Sequence, residues 1–183
     1  VQNSDLYIAI GTSLSLMQTG YNSKDYARNA KIVQVDIDQA ILDKGTLREL
    51  IKIRMDAGEF IRALTPLVES QPAWKAWNDQ CQDWKRRYPV CLPEYKEQKD
   101  YVNSFYFIET LSELATETDT IVTDMGFAFQ NTHQVWKVKK GQRLLTNCGL
   151  APMGWGLPAA IGAAFATSGR RVILITGEGG LMM

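Results

Sequence analysis

Val172-Ile173-Leu174-Ile175-Thr176-Gly177-Glu178-Gly179-Gly180 sets an apolar, largely β-branched run directly against an acidic residue among glycines. A short run of this kind, without polar alternation, reads as a strand buried on both faces of a parallel sheet. In such sheets ligands settle beyond the carboxyl ends of the strands. Glycines there let the backbone approach phosphate oxygens, and a carboxylate can hold a divalent cation. The helix that should follow such a strand has no room before Met183, so the chain is expected to be a piece of a longer protein.

Upstream, the same grammar repeats. Leu6-Tyr7-Ile8-Ala9-Ile10 ends at Gly11, and Lys31-Ile32-Val33-Gln34-Val35-Asp36 ends in a carboxylate. Residues 51–54 read as a third, shorter strand. A helical face follows over 58–69, carried by Phe60, Ile61, Leu64, Leu67 and Val68. Trp74, Trp77, Cys81 and Trp84 then recur at helical spacing up to Tyr88-Pro89, which predicts a connecting helix that packs its aromatic face. Residues 93–100 are polar and read as an exposed linker. Asn103 or Ser104 caps the next helix, whose apolar face is Phe107, Ile108, Leu111, Leu114 and Ala115. Strands are expected at 120–123, 143–146 and 171–176, with helices over 127–136 and 157–166. The predicted fold is α/β: two partial Rossmann-like parallel-sheet units joined by a helical linker. The expected boundaries are 1–70, 71–103 and 104–183.

Twenty basic and twenty acidic residues cancel, so no electrostatic footprint points to nucleic acid or an anionic membrane. The apolar stretch 150–166 is interrupted by Pro152, Pro158 and several glycines, which argues against a membrane span. Cys81, Cys91 and Cys148 are odd in number and lack C-x-x-C spacing, as expected for reduced thiols in the cytoplasm that bind no metal. Val1-Gln2-Asn3-Ser4-Asp5 has neither the basic nor the apolar region of a signal peptide.

Three segments of the second unit are expected to meet at one sheet edge: Asp124-Met125-Gly126, Gly149-Leu150-Ala151-Pro152-Met153-Gly154, and Gly177-Glu178-Gly179-Gly180. Each has an ordinary structural alternative. The glycines serve turns, Met153 fills a core, and Asp124 caps the helix after it. Together they resemble the thiamine-diphosphate-dependent enzymes that include the acetolactate synthase large subunit. The most specific stretch is Thr146-Asn147-Cys148-Gly149-Leu150-Ala151-Pro152-Met153-Gly154-Trp155-Gly156-Leu157-Pro158-Ala159-Ala160-Ile161-Gly162-Ala163-Ala164. Gly11 with Val35-Asp36-Ile37-Asp38 is similar to the later half of that family's central domain, and Trp84-Lys85-Arg86-Arg87-Tyr88-Pro89 to its interdomain connector.

The resemblance implies thiamine diphosphate and Mg²⁺ as cofactors and a 2-keto acid as substrate, decarboxylated and then joined to an acceptor or protonated. Glu178 takes the place of a metal-binding Asp, and Gly177, Gly179 and Gly180 would lie against the diphosphate. Met153 matches the apolar residue that bends the cofactor between its two rings. Ala151 would offer backbone atoms to the pyrimidine, and Met125, Gly126, Phe127 and Ala128 would contact the cofactor from the neighbouring strand. The family pairs subunits around each cofactor, which implies a homodimer or homotetramer. Its activating glutamate belongs to an N-terminal domain, so no catalytic residue is expected within this chain, and the chain alone is expected to be inactive.

The departures are as informative. Glu178 is one methylene longer than the family's Asp. Phe127 and Ala128 stand where the synthases carry Gln and His, which puts acetolactate formation in question. FAD is a further cofactor that the resemblance raises, and Asp36 or Asp38 could bind a ribose hydroxyl, with a solvent-facing carboxylate as the plain alternative. The synthases' Arg after the Gly11 equivalent is replaced within Gly11-Thr12-Ser13-Leu14-Ser15, which removes a partner for flavin phosphates. His133 matches no site position and reads as a surface or packing residue. Two rival readings stand beside this one. A dinucleotide-dependent oxidoreductase would require a G-x-G-x-x-G after the first strand, which is missing. A non-catalytic homologue is suggested by Glu178, Phe127 and Ala128.

Overall fold

The computed structural model describes residues 1–45, 47–48, 50–69 and 72–183. The chain forms two compact units, Val1–Trp77 and Asn78–Met183. The expected boundary at 70–71 lies outside the described residues.

In the first unit β1 (Leu6–Ile10), β2 (Lys31–Asp36) and β3 (Leu50–Arg54) form a parallel sheet in the order β1-β2-β3. Val33 sits opposite Ile8 on one side and Ile51 on the other. As the central strand, β2 is covered on both faces, and its Ile32 and Val35 are buried. Ile32 joins Ala9, Leu14, Ala27 and Leu47 in one apolar cluster. Beside it the Tyr26 hydroxyl donates to that of Tyr7 at 3.0 Å. Burial, and then the Tyr7 hydroxyl, push the Tyr26 phenol up to about 12.

The helices of this unit are short: α1 (Leu16–Thr19), α2 (Gln39–Leu42) and α3 (Ala57–Leu64). The helical face expected over 58–69 is α3 followed by a 3₁₀ turn, Thr65–Leu67. Pro66 lacks the N–H that would continue the α-helix. Then α4 (Pro72–Arg87) carries the tryptophan stripe, with Trp74, Trp77 and Trp84 each about half exposed. Residues 93–100 stay largely exposed, as expected for a linker, but a 3₁₀ turn at Pro93–Glu97 stacks Tyr95 on Phe105 at 6.0 Å.

The second unit comprises α5 (Ser104–Leu114), β4 (Thr120–Thr123), α6 (Phe127–Val135), β5 (Arg143–Leu145), α7 (Gly156–Ala166), β6 (Val172–Ile175) and α8 (Glu178–Leu181). Its strands are parallel in the order β5-β4-β6. All four residues of β4 are buried, and Ile121 packs with Ile108, Ala115, Val135, Trp136 and Ile175. Asn103 caps α5, its side-chain oxygen accepting from the N–H groups of Phe105 and Tyr106.

The amino edge of this sheet is closed by charge. Asp119, directly before β4, is buried and accepts from Arg171 Nε at 2.9 Å and Nη2 at 2.6 Å, directly before β6. Lys139 Nζ donates to the carbonyls of Glu113 and Ala115 at the end of α5, where a cation suits the helix dipole. Gln142 accepts from Trp136 Nε1 at 3.2 Å and donates to the Thr116 carbonyl at 2.7 Å.

Candidate functional site

The carboxyl edge of the second sheet has the opposite character. It is made of loops, glycines and polar atoms without partners. Asp124 follows β4, and its N–H donates to the Ile175 carbonyl at 2.9 Å, so the residue begins where the ladder ends. Its side chain is 1 % exposed. Oδ2 accepts from the Gly154 N–H and from Thr176 Oγ1, both at 3.1 Å.

Two of the surrounding glycines, Gly156 and Gly180, are pressed against Asp124, and a third, Gly154, against the tail. A Cβ on Gly156 would stand 2.8 Å from Asp124 Cβ, and one on Gly180 would collide with Asp124 Oδ2. At Gly154, where φ is +85°, a Cβ would come within 2.8 Å of Met183 Cβ and 3.5 Å of the Gly180 carbonyl oxygen. The three segments expected at one edge therefore do meet, and Asp124 is the point at which they touch. The sequence reading offered Asp124 as a helix cap. The structure corrects this: the N-cap of α6 is Gly126, at φ +74°, and no side chain caps it. A cap side chain bonds to N–H groups two or three positions ahead. Asp124 lies two residues before the cap position of α6, too early for that, and the spacing was the available signal. Thr176 had no signal in the sequence.

The remaining expected residues are placed as follows. Gly177 is the N-cap of α8 and Glu178 its first residue, both exposed. A side chain on Gly177 or Gly179 would meet nothing within 4 Å, so backbone is open there to an approaching group. Met153 is 60 % exposed and Met125 half-buried. Ala151 is exposed and holds φ at +51°, a conformation unusual for a residue with a Cβ, and its N–H donates to the Asn147 carbonyl at 2.9 Å. Phe127, Ala128 and Gly177 line one cavity of about 210 Å³ together with Phe107, Ile108 and Asn131. The helix taken to be missing after Gly180 has its first turn, α8.

Among the described residues, three buried side-chain atoms lack a hydrogen-bond partner: Thr123 Oγ1, Asp124 Oδ1 and Thr146 Oγ1. All three belong to the ends of β4 and β5 at this same edge. Buried polar atoms are seldom left unpaired, and those that are mark strain or a bound group. The two threonine hydroxyls can donate, and together with the open backbone at Gly177 and Gly179, the exposed Met153 and the exposed carboxylate of Glu178 they fit a cofactor carrying phosphates. The described residues contain no cluster of three His, Cys, Asp or Glu for a metal. A lone carboxylate is still compatible with Mg²⁺, which keeps several waters and takes its other oxygens from phosphates.

The carboxylates of the first unit are engaged locally. Asp36 accepts from the Asp38 N–H at 2.9 Å, and Asp38 caps α2 by accepting from the Ala40 N–H at 2.8 Å. His133 is packed against Phe129 with ring centroids 4.4 Å apart, and burial lowers its pKa. The thiols of Cys81, Cys91 and Cys148 are free.

Comparison with known proteins reaches the same edge. The family described as "Thiamine pyrophosphate enzyme, C-terminal TPP binding domain" matches residues 124–183, beginning at the carboxylate on which the segments meet. "Thiamine pyrophosphate enzyme, central domain" matches residues 1–64. The chain is 34% identical over 183 residues to the acetolactate synthase isozyme 1 large subunit of Escherichia coli (strain K12), covering 100% of this chain and 32% of that protein. It is 32% identical over 193 residues to acetolactate synthase 1, chloroplastic, of Zea mays, covering 100% of this chain and 29% of the relative. With acetolactate synthase 2, chloroplastic, of Nicotiana tabacum the identity is 33% over 193 residues, covering 100% and 28%. The chain thus spans about a third of the length of the relatives it matches. With both domain descriptions met in order along one sequence, the chain belongs to the thiamine pyrophosphate enzyme family.

Proposed function

We propose that the full-length protein is a thiamine-diphosphate- and Mg²⁺-dependent enzyme that decarboxylates a 2-keto acid and passes the product to an acceptor or a proton. The observation that carries this reading is the meeting of three loop segments on buried Asp124, at the edge that also holds the unpartnered polar atoms. When bound, the cofactor supplies a carbanion-stabilising centre that takes up the electrons left by departing CO₂.

This chain's residues do the holding. Glu178 gives the carboxylate for the metal, and the open backbone at Gly177 and Gly179 receives the diphosphate. Met153 supplies the apolar surface between the cofactor's two rings. Phe127 and Ala128 bring apolar surface to the neighbouring cavity, and with it a drier environment for the reacting centre. Asp36 and Asp38 are taken up by nearby N–H groups, which gives no support to FAD in the first unit. A homodimer or homotetramer in the cytoplasm completes the proposal, with neither nucleic acid nor membrane as partner. Among the described residues no helix is long and apolar enough to cross a membrane.

Calorimetric titration of the full-length protein with thiamine diphosphate tests the site. Binding is expected to require Mg²⁺ and to weaken about tenfold or more in Glu178→Gln, a loss of about 1.4 kcal/mol. Tight binding without metal would show that Glu178 has another role. A second reading, a non-catalytic homologue, is favoured by the apolar Phe127 and Ala128. Consumption of pyruvate by the loaded protein separates the two.

A further inference from the structure

We infer that Asp124 is a positioning residue that sets the separation between the 149–156 loop and the 177–183 tail, so that a cofactor touching both finds them already in register. The inference rests on the thiamine diphosphate reading and deepens it. Asp124 fits the role because of what it joins. One oxygen accepts from the Gly154 N–H, fixing the loop, and from Thr176 Oγ1, fixing the residue before the tail. Carboxylate acceptors make stronger hydrogen bonds than neutral ones, and geometry held by two donors on one oxygen is hard to shift. Steric contact completes the clamp: Gly156 lies against Asp124 Cβ on the loop side, and Gly180 lies against Oδ2 on the tail side. The whole side chain is buried, so it orders the two segments from beneath and leaves their outer surfaces to the ligand.

A residue that sets a separation has a signature distinct from one that merely stabilises. Removing it harms a ligand that bridges both segments far more than a ligand resting on one. The test is calorimetric titration of full-length wild type, Asp124→Ala and Thr176→Val with two probes, each with Mg²⁺: thiamine diphosphate, which would span both segments, and inorganic pyrophosphate, which would engage only the tail. In Asp124→Ala the affinity for thiamine diphosphate is expected to fall about tenfold or more while that for pyrophosphate stays within about twofold. Thr176→Val keeps the shape of the side chain and removes one donor. It should show the same selectivity with a loss of about threefold, and it carries the test if Asp124→Ala does not fold. Equal losses for both probes, or no loss for either, would overturn the positioning role. Wild type that binds no thiamine diphosphate would overturn the functional reading itself, and this inference with it.

Discussion

Asp119 shows how much one buried carboxylate can make a fold depend on pH. The Arg171 guanidinium, followed by the Thr116 N–H and hydroxyl, outweighs the opposing effect of burial and holds the Asp119 carboxyl at about 2. A carboxyl in the unfolded chain titrates near its ordinary value, 3.8. Because the folded value is the lower one, the folded state binds its proton less readily. The stabilisation from Asp119 is therefore complete above about pH 4 and is lost as the pH falls toward 2. Urea unfolding measured between these limits should show that decline in wild type and a flatter acid limb in Asp119→Asn. An unchanged slope in the variant would mean that the pair with Arg171 contributes nothing.

Among the elements, the turn between β4 and α6 is constrained by its backbone rather than by its neighbours. Gly126 holds φ +74° and ψ −144°, which suits glycine and few other residues, yet a Cβ there would meet nothing within 4 Å. Gly126→Ala should therefore cost about 2 kcal/mol through backbone strain alone, read as a lower urea midpoint with an unchanged m-value. A neutral result would show that the turn relaxes. The same element shows where sequence reading succeeds and where it fails. Strands β1, β2, β4 and β6 are legible from short runs rich in β-branched and apolar residues that end at Gly or an acidic residue, although β1 and β6 prove to be edge strands and Leu6 and Ile8 are exposed. Helices α5 and α7 are legible from a capping Asn103 and from a Gly- and Pro-punctuated start. The one-turn helices α1 and α2 are not, since four residues cannot display a 3.6-residue period. At the candidate site the glycines and Met153 could be read from the chain. The part played by Asp124 could not: its spacing from the expected helix start at 127 argues against a cap, but nothing in the sequence marks the segments that it braces. The donors that reveal the brace come from Gly154 and Thr176, distant in sequence.

On the scale of the whole molecule the described residues form two apolar clusters, one around Ile32 in the first unit and one around Ile121 in the second. Each is expected to melt as its own cooperative unit. Ile32→Ala and Ile121→Ala should each cost about 2–4 kcal/mol, but in different transitions of a calorimetric scan. A single transition lowered by both substitutions would refute this.

The second unit also joins its central strand to β6 at both ends, through Asp119–Arg171 below and Asp124–Thr176 above. Between these ends four rungs hold a register that the burial of β4 already specifies, and the two polar pairs fix it at either end. The strand pair thus works as a gauge block: with its foot bolted, its head stands at a set height. A change at Arg171, about 16 Å from the strand tops, can therefore mis-set the cofactor without touching it.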